Sequence, residues 1–393
     1  MSVGVTVAAA ERVARLLRAD LRGRTAYGAP QLDVPVRLNT NENSYAVPAD
    51  VVAAITDAVA GCATDLNRYP DREFTALRED LAAWLTEQTG VRIDAAQMWA
   101  GNGSNEVLQH VVQAFAGPGR VALGFTPAYS MHPIISATLG STWVDGHRGG
   151  PSGPFELTAT DVLAQVRAAA PHVVFLCSPN NPTGTALDLG VVRAVLQGAP
   201  DTVVVVDEAY AEFARPGTPS AVSLLAAYPQ LVVTRTMSKA FALAGGRLGY
   251  LAAAPELIDA LRLVRLPYHL SSPTQAIARA ALAHRSSLLA EVEAIKMQRD
   301  RIVSTLAAQG FPPVASDANF VLFGGLADAA RTWEALLERG VLVRDVGIAH
   351  HLRVTAGTPE ETTAFLDALA DLPEDHRCPA DRPASPASQG APA

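Results

Sequence analysis

Thr236-Met237-Ser238-Lys239, with Arg247 eight residues further on, is the stretch from which the rest of this chain can be read. It follows a short apolar run, residues 231–234, and that run is one of a series: residues 121–124, 173–177, 203–207 and 249–253. These runs are apolar at successive positions, so both faces of each strand are buried, as in a parallel sheet covered by helices on both sides. Residues 51–60 and 74–89 read as helices, 97–100 as a strand, and 105–115 as a helix opened by Gly101-Asn102-Gly103-Ser104. Helical patterns dominate 255–309. A smaller α+β unit follows: strand 319–323, helix 327–339, strands 341–344 and 352–355, and a last helix. That helix has a legible start, with Thr358 as N-cap, Pro359 in the first position and Glu361 completing a capping box. The expected class is therefore α/β, with a large domain over 46–262 whose mostly parallel central sheet lies between helices. A small domain is expected from 1–45 and 263–372. It begins as an N-terminal arm, irregular apart from an amphipathic stretch near 11–20. Residues 373–393, rich in Pro, Ala, Ser and Asp, are expected to form a disordered tail.

Composition narrows the function. The chain has 393 residues, 49% of them apolar and 18% charged, which suits a globular protein of two or three domains. Its net charge of −8 argues against a nucleic-acid partner, which would call for a basic face. No apolar run reaches the roughly 18 residues of a membrane span. The first ten residues lack the basic start of a secretory signal. Cys62, Cys177 and Cys378 are scattered and read as reduced thiols, so the expected location is the cytoplasm. The nine histidines include no HxxxH pair, and no metal is expected.

The motif residues carry the chemistry. A buried lysine beside a phosphate can lose its proton and attack an aldehyde, and later act as a general base. Lys239 alone would more often be a surface residue, but Thr236 and Ser238 offer hydroxyls beside it and Arg247 a guanidinium fork for a phosphate. Asp207 ends the run Val203-Val204-Val205-Val206, at the strand edge where α/β sheets bind ligands. There a carboxylate can hold the proton on a pyridine nitrogen. Tyr210 and Asn181, the latter in Asn181-Pro182-Thr183-Gly184, can donate to a phenolic ring oxygen. Gly101-Asn102-Gly103-Ser104-Asn105 leads from a strand into a helix, whose first N–H groups suit a phosphate. A dinucleotide reading fails because Glu106 stands where the third glycine should be. Tyr129 can stack on a flat ring. Arg353 and Arg344, on neighbouring strands, need anionic partners, either internal carboxylates or a substrate's phosphate or carboxylate. Together these residues meet the requirements of pyridoxal 5'-phosphate.

The set resembles the fold-type I pyridoxal-phosphate aminotransferases and, within them, the histidinol-phosphate aminotransferase family, with an actinobacterial flavour. The likeness runs from about residue 20 to 372. It is carried by Tyr27-Gly28-Ala29-Pro30-Gln31, Leu38-Asn39-Thr40-Asn41-Glu42-Asn43, Asn67-Arg68-Tyr69-Pro70-Asp71, residues 101–106, 178–184, Asp207–Tyr210 and 235–239. Leu266-Pro267-Tyr268, residues 316–323 and 343–347 extend it. The resemblance implies transamination between L-histidinol phosphate and 2-oxoglutarate, giving imidazole acetol phosphate and glutamate, in histidine biosynthesis. It implies Lys239 as the cofactor lysine, Asp207 as the ring-nitrogen partner, and Ser104, Asn105, Thr236, Ser238 and Arg247 as the phosphate site. Tyr27, Asn41, Asn181, Arg344 and Arg353 would meet the substrate. Tyr69 would reach the cofactor phosphate of a neighbouring subunit in a homodimer. Two departures bear on substrate: Asn43-Ser44 where the family has Asn-Pro, and Ala349-His350-His351 where it has a glycine-bearing loop. An aromatic amino-acid aminotransferase or a specialised-pathway paralogue is the competing activity. A non-catalytic effector-binding domain of the same fold is disfavoured, because no basic or helix-turn-helix segment precedes residue 30.

Overall fold

The structure is a computed structural model and describes residue 9, residues 11–149 and residues 155–378. In chain order its strands are β1 (Val36–Arg37), β2 (Met98–Gly101), β3 (Val121–Thr126), β4 (Thr142–His147), β5 (Val173–Cys177) and β6 (Val203–Asp207). β7 (Leu231–Thr236), β8 (Gly249–Ala253), β9 (Phe320–Phe323), β10 (Val341–Leu342) and β11 (Leu352–Thr355) follow. The helices are α1 (Ala49–Ala63), α2 (Thr75–Thr89), α3 (Ser104–Phe115), α4 (Met131–Thr138), α5 (Ala159–Ala169) and α6 (Leu189–Gly198). After them come α7 (Pro255–Val264), α8 (Ser272–Ala283), α9 (Arg285–Ala308), α10 (Ala329–Glu338) and α11 (Pro359–Ala370).

The central sheet has the order β2-β8-β7-β6-β5-β3-β4. β4, β3, β5, β6 and β7 run parallel, and β8 is antiparallel to both its neighbours. Every residue of β5, β6, β7 and β8 is buried, as their unbroken apolar runs demand. Burying each valine of Val203-Val204-Val205-Val206 contributes roughly 1.5–3 kcal/mol, so the sheet centre is the core of the molecule. The chain steps outward from β5 to β6 to β7 on one side and from β3 to β4 on the other. That reversal opens a crevice at the carboxyl ends of β3, β5, β6 and β7.

The helical stretch 255–309 is three helices. α7 opens with Pro255 and ends before Pro267; Ser271 caps α8 by accepting from the Thr274 N–H at 3.2 Å; His284 separates α8 from α9. The capping box of α11 is formed as read, with Thr358 Oγ1 accepting from Glu361 N and Glu361 Oε2 accepting from Thr358 N. β9 and β11 pair antiparallel. Arg344 and Arg353 exchange backbone hydrogen bonds of 2.9 Å, so the two arginines sit on neighbouring chain segments.

Three expectations are corrected. β4, an edge strand with partly exposed positions, was missed because Trp143 and Val144 are too short an apolar run to read as a strand. The arm is not irregular throughout: β1 joins β10 in parallel, which ties residues 36–37 to the small unit. The tail does not begin at 373. Glu374–His376 form a turn of 3-10 helix, His376 is buried against Thr332 at 3.0 Å, and Cys378 N donates to Gly325 O at 2.9 Å. The remainder of the expected tail, 379–393, lies outside the described residues. Among the described residues no helix is long and apolar enough to cross a membrane, and no cluster of His, Cys, Asp or Glu could hold a metal ion.

Candidate active site

A cavity of about 590 Å³ lies at the crevice. Tyr27, Asn41, Ser104, Asn105, Tyr129, Asn181, Asp207, Tyr210, Thr236, Ser238, Lys239, Arg247, Arg344 and Arg353 all line it. Each arrives from the end of an element. Asp207 closes β6, Thr236 closes β7, Ser104 and Asn105 open α3, and Arg353 comes from β11.

Lys239 is half-buried and its Nζ donates to the Thr40 carbonyl at 3.0 Å. Burial, with the charges of Arg353 and Arg247 added, lowers its pKa to about 8. The neutral amine is the form that attacks a carbonyl carbon, and the lowered pKa raises its share near physiological pH. Asp207 is buried and register-paired with Cys177 and Thr234. Its Oδ1 accepts from Thr234 Oγ1 at 3.0 Å, and its Oδ2 lies 3.0 Å from His132 Nε2. The His132 ring in turn stacks on Phe175 at 4.7 Å and meets Tyr129 edge-on at 5.5 Å. Tyr210 Oη receives Asn41 Nδ2 at 3.0 Å and Asn181 Nδ2 at 3.5 Å, and burial raises its pKa to about 12. Its hydroxyl therefore keeps its proton and is a donor. Asn41 has a left-handed backbone (φ 55°), a conformation asparagine tolerates better than most residues.

The phosphate-type end is built from backbone. α3 begins after Gly103, at φ 84° and ψ 164°, and no side chain caps its first turn. Its early N–H groups and the positive end of the helix dipole therefore face the cavity without an internal acceptor. Arg247, itself left-handed at φ 52°, brings its guanidinium so close that a Cβ on Gly103 would run into it. Thr236 Oγ1 donates to Ser238 Oγ at 3.0 Å and accepts from Ser238 N at 3.1 Å. Tyr129 Oη donates to Asn105 Oδ1 at 3.2 Å.

The other end holds Arg353. It is buried, and its two terminal nitrogens donate to neutral oxygens, Asn181 Oδ1 at 2.5 Å and Asn39 O at 2.7 Å. Its Nε has no partner, and no carboxylate pairs with it among the described residues. Burial, reinforced by Arg344, lowers its pKa to about 10. A buried cation with only neutral partners is costly until an anion joins it.

Of the residues expected to touch cofactor or substrate, Tyr69 stands outside the cavity. It is 80% exposed and stacks on Tyr268 at 4.4 Å. His350 and His351 do not line the cavity either. His350 turns to the Leu326 carbonyl at 2.7 Å and His351 packs against Phe155. The two imidazoles therefore do not intrude on the cavity. Sequence reasoning missed His132 and Thr234, the groups that hold Asp207. Neither carries a motif, and their contacts span 75 and 27 residues.

A buried carboxylate for a ring nitrogen, a lysine of depressed pKa, hydroxyl and amide donors on one wall and an uncapped helix start beside an arginine fit pyridoxal 5'-phosphate group by group. Comparison with known proteins agrees. The model of the family "Aminotransferase class I and II" matches residues 34–369. The histidinol-phosphate aminotransferase of Paenarthrobacter aurescens is 60% identical over 92% of this chain and 96% of its own length. That of Frankia casuarinae is 58% identical over 90% and 89%. Among solved structures, histidinol-phosphate aminotransferase from Sinorhizobium meliloti, in complex with pyridoxal-5'-phosphate, superposes with a TM-score of 0.74 at 25% identity. The match covers 86% of this chain and 90% of that one. With relatives this similar over nearly its whole length, the chain belongs to the class I and II aminotransferases and, within them, to the histidinol-phosphate aminotransferases.

Proposed function

We propose that the protein moves the amino group of L-histidinol phosphate to 2-oxoglutarate, giving imidazole acetol phosphate and glutamate, as a step of histidine biosynthesis. The observation that carries the choice of substrate is Arg353, a buried guanidinium whose partners are all neutral, with Arg344 beside it on the cavity wall. A phosphate or a carboxylate in turn would satisfy it, which is what a donor and an acceptor of different anionic groups require.

Pyridoxal phosphate, when bound, supplies an aldehyde that takes and returns the amino group and a ring that draws charge from the donor's α-carbon. The chain's residues do the rest. Asp207, fixed by Thr234 and His132, keeps a proton on the ring nitrogen. Tyr210 and Asn181 donate to the ring's phenolic oxygen. The start of α3, Thr236, Ser238 and Arg247 would hold the phosphate, and Tyr129 would pack against the ring. Lys239 would hold the cofactor's aldehyde carbon, and its amine would move the donor's α-proton.

We further propose a homodimer, acting in the cytoplasm. Tyr69 is exposed and stacks on Tyr268, and Leu66, Leu263 and Leu266, near the two tyrosines in the chain, are exposed as well; exposed apolar side chains of this kind suit a second copy. Tyr69 then serves the neighbour's phosphate site.

The test is a half-transamination panel with the holoenzyme, following the cofactor's visible band. Histidinol phosphate is expected to shift the band at lower concentration than phenylalanine, tyrosine or histidine. A stronger response to phenylalanine would favour the aromatic aminotransferase.

A further inference from the structure

Arg235 takes no part in the cavity wall, yet it is fully enclosed at the strand end that carries the site, 2% exposed. It sits on β7 between Thr234, which holds Asp207, and Thr236, which faces the phosphate end. By the pleat of the strand its side chain points away from theirs. Its guanidinium reaches four segments. Nε donates to Glu208 Oε2 at 2.9 Å and Nη2 lies 2.7 Å from the same oxygen. Nη1 donates to Glu212 Oε1 at 3.0 Å and to Gln88 Oε1 at 2.8 Å, and Nη2 to Ser220 Oγ at 3.2 Å. Glu208 is locked in turn, accepting from Ser220 Oγ at 2.8 Å and from Ala221 N at 2.7 Å.

The partners' places in the chain give this arrangement its meaning. Glu208 follows Asp207. Glu212 lies in the turn Ala211–Phe213 that follows Tyr210. The Glu208 N–H donates to the Thr234 carbonyl at 2.9 Å, so the main chains of the two strand ends are joined at the same point. One guanidinium thus cross-links the stretch with Asp207, the turn with Tyr210 and the strand that runs into Thr236, Ser238 and Lys239. A buried ion pair is weak evidence of stability, because apolar residues of similar volume often do as well. What apolar residues cannot supply is a rigid fork of donors that fixes several acceptors relative to one another.

We propose that Arg235 is a positioning residue for the amino transfer: it sets the ring-nitrogen carboxylate, the Tyr210 hydroxyl and the phosphate hydroxyls in register with Lys239. The proposal rests on the reading of this cavity as a pyridoxal-phosphate site and adds a residue that does not touch it.

Arg235→Lys keeps the charge and loses the fork. Glu208→Gln keeps the shape and the acceptor oxygen and loses the charge. Each variant is prepared without cofactor, melted, and titrated with pyridoxal phosphate. The expected result is a cooperative melt with a cofactor Kd raised about tenfold and a displaced visible band or band pH midpoint. In the reconstituted enzyme kcat falls roughly ten- to a hundredfold, while the donor KM moves by no more than about threefold. A lowered melting temperature with Kd, band and kcat unchanged would overturn the proposal and leave Arg235 as a structural ion pair only. If Arg235→Lys does not fold, Glu208→Gln decides by the same readouts. Failure of the underlying reading is separable, since it would appear in the wild type as no uptake of pyridoxal phosphate.

Discussion

Lys239 gives the site its pH dependence at the scale of the single residue. The neutral amine is the reactive form, and its pKa is lowered to about 8 by burial and by Arg353 and Arg247. The neutral fraction therefore rises tenfold per unit as pH climbs toward 8 and levels off above it. The rate at which the cofactor-free protein takes up pyridoxal phosphate should follow that curve, with a midpoint about two units below an ordinary lysine. A midpoint near 10 would show that the amine is not desolvated. Lys239→Ala should abolish multiple turnover while the melting temperature of the cofactor-free protein stays close to wild type, because among the described residues the side chain's one hydrogen bond is to the Thr40 carbonyl. At this scale the sequence was legible wherever chemistry demands a residue type in a fixed local frame: Lys239 with its hydroxyl neighbours, Asp207 at a strand end, Arg353 in an apolar strand. His132, Thr234 and Arg235 were not legible, since their roles arise from contacts between distant segments and no local pattern marks them.

The phosphate end depends on two elements meeting, the loop before α3 and the turn that carries Arg247. Gly103 has a backbone conformation open in practice to glycine, and a Cβ there would displace Arg247. Gly103→Ala should cost roughly 1–3 kcal/mol of stability and raise the cofactor Kd about tenfold or more, measured by melting and by cofactor titration. An unchanged Kd would mean that the α3 start does not hold the phosphate. Thr358→Ala is the contrasting change. It removes the capping box of α11, none of whose residues lines the cavity, so it should cost about 1 kcal/mol with kcat and KM unaltered. The glycine loop and the capping box were both readable because each element boundary has its own residue chemistry. β4 and the ordered segment 373–378 were not. The first is a short edge strand of mixed polarity, and the second is held by partners such as Thr332 and Gly325 that composition does not reveal.

At the scale of the whole molecule, the central sheet was legible because its strands are buried on both faces and read as unbroken apolar runs. Tyr69 points the other way, out of its own cavity and toward solvent, so a single chain leaves its proposed role unfilled. Mixing Tyr69→Phe protein with Lys239→Ala protein should restore activity above either alone, because each mixed dimer then holds one site with both lesions and one with neither. No gain, once subunit exchange is shown by mass, would mean that each chain's site is complete in itself. The central claim is that this cavity selects a phosphate-bearing donor through Arg353 and Arg344. The most direct measurement is kcat/KM for histidinol phosphate against histidinol and phenylalanine, in wild type and in Arg353→Lys. A desolvated charge-assisted contact is worth roughly 1.5–3 kcal/mol, so wild type should prefer histidinol phosphate to histidinol by about ten- to a hundredfold per contact. Lysine, which keeps the charge without the fork, should shrink that preference. Phenylalanine equalling or exceeding histidinol phosphate in the wild type would contradict the account.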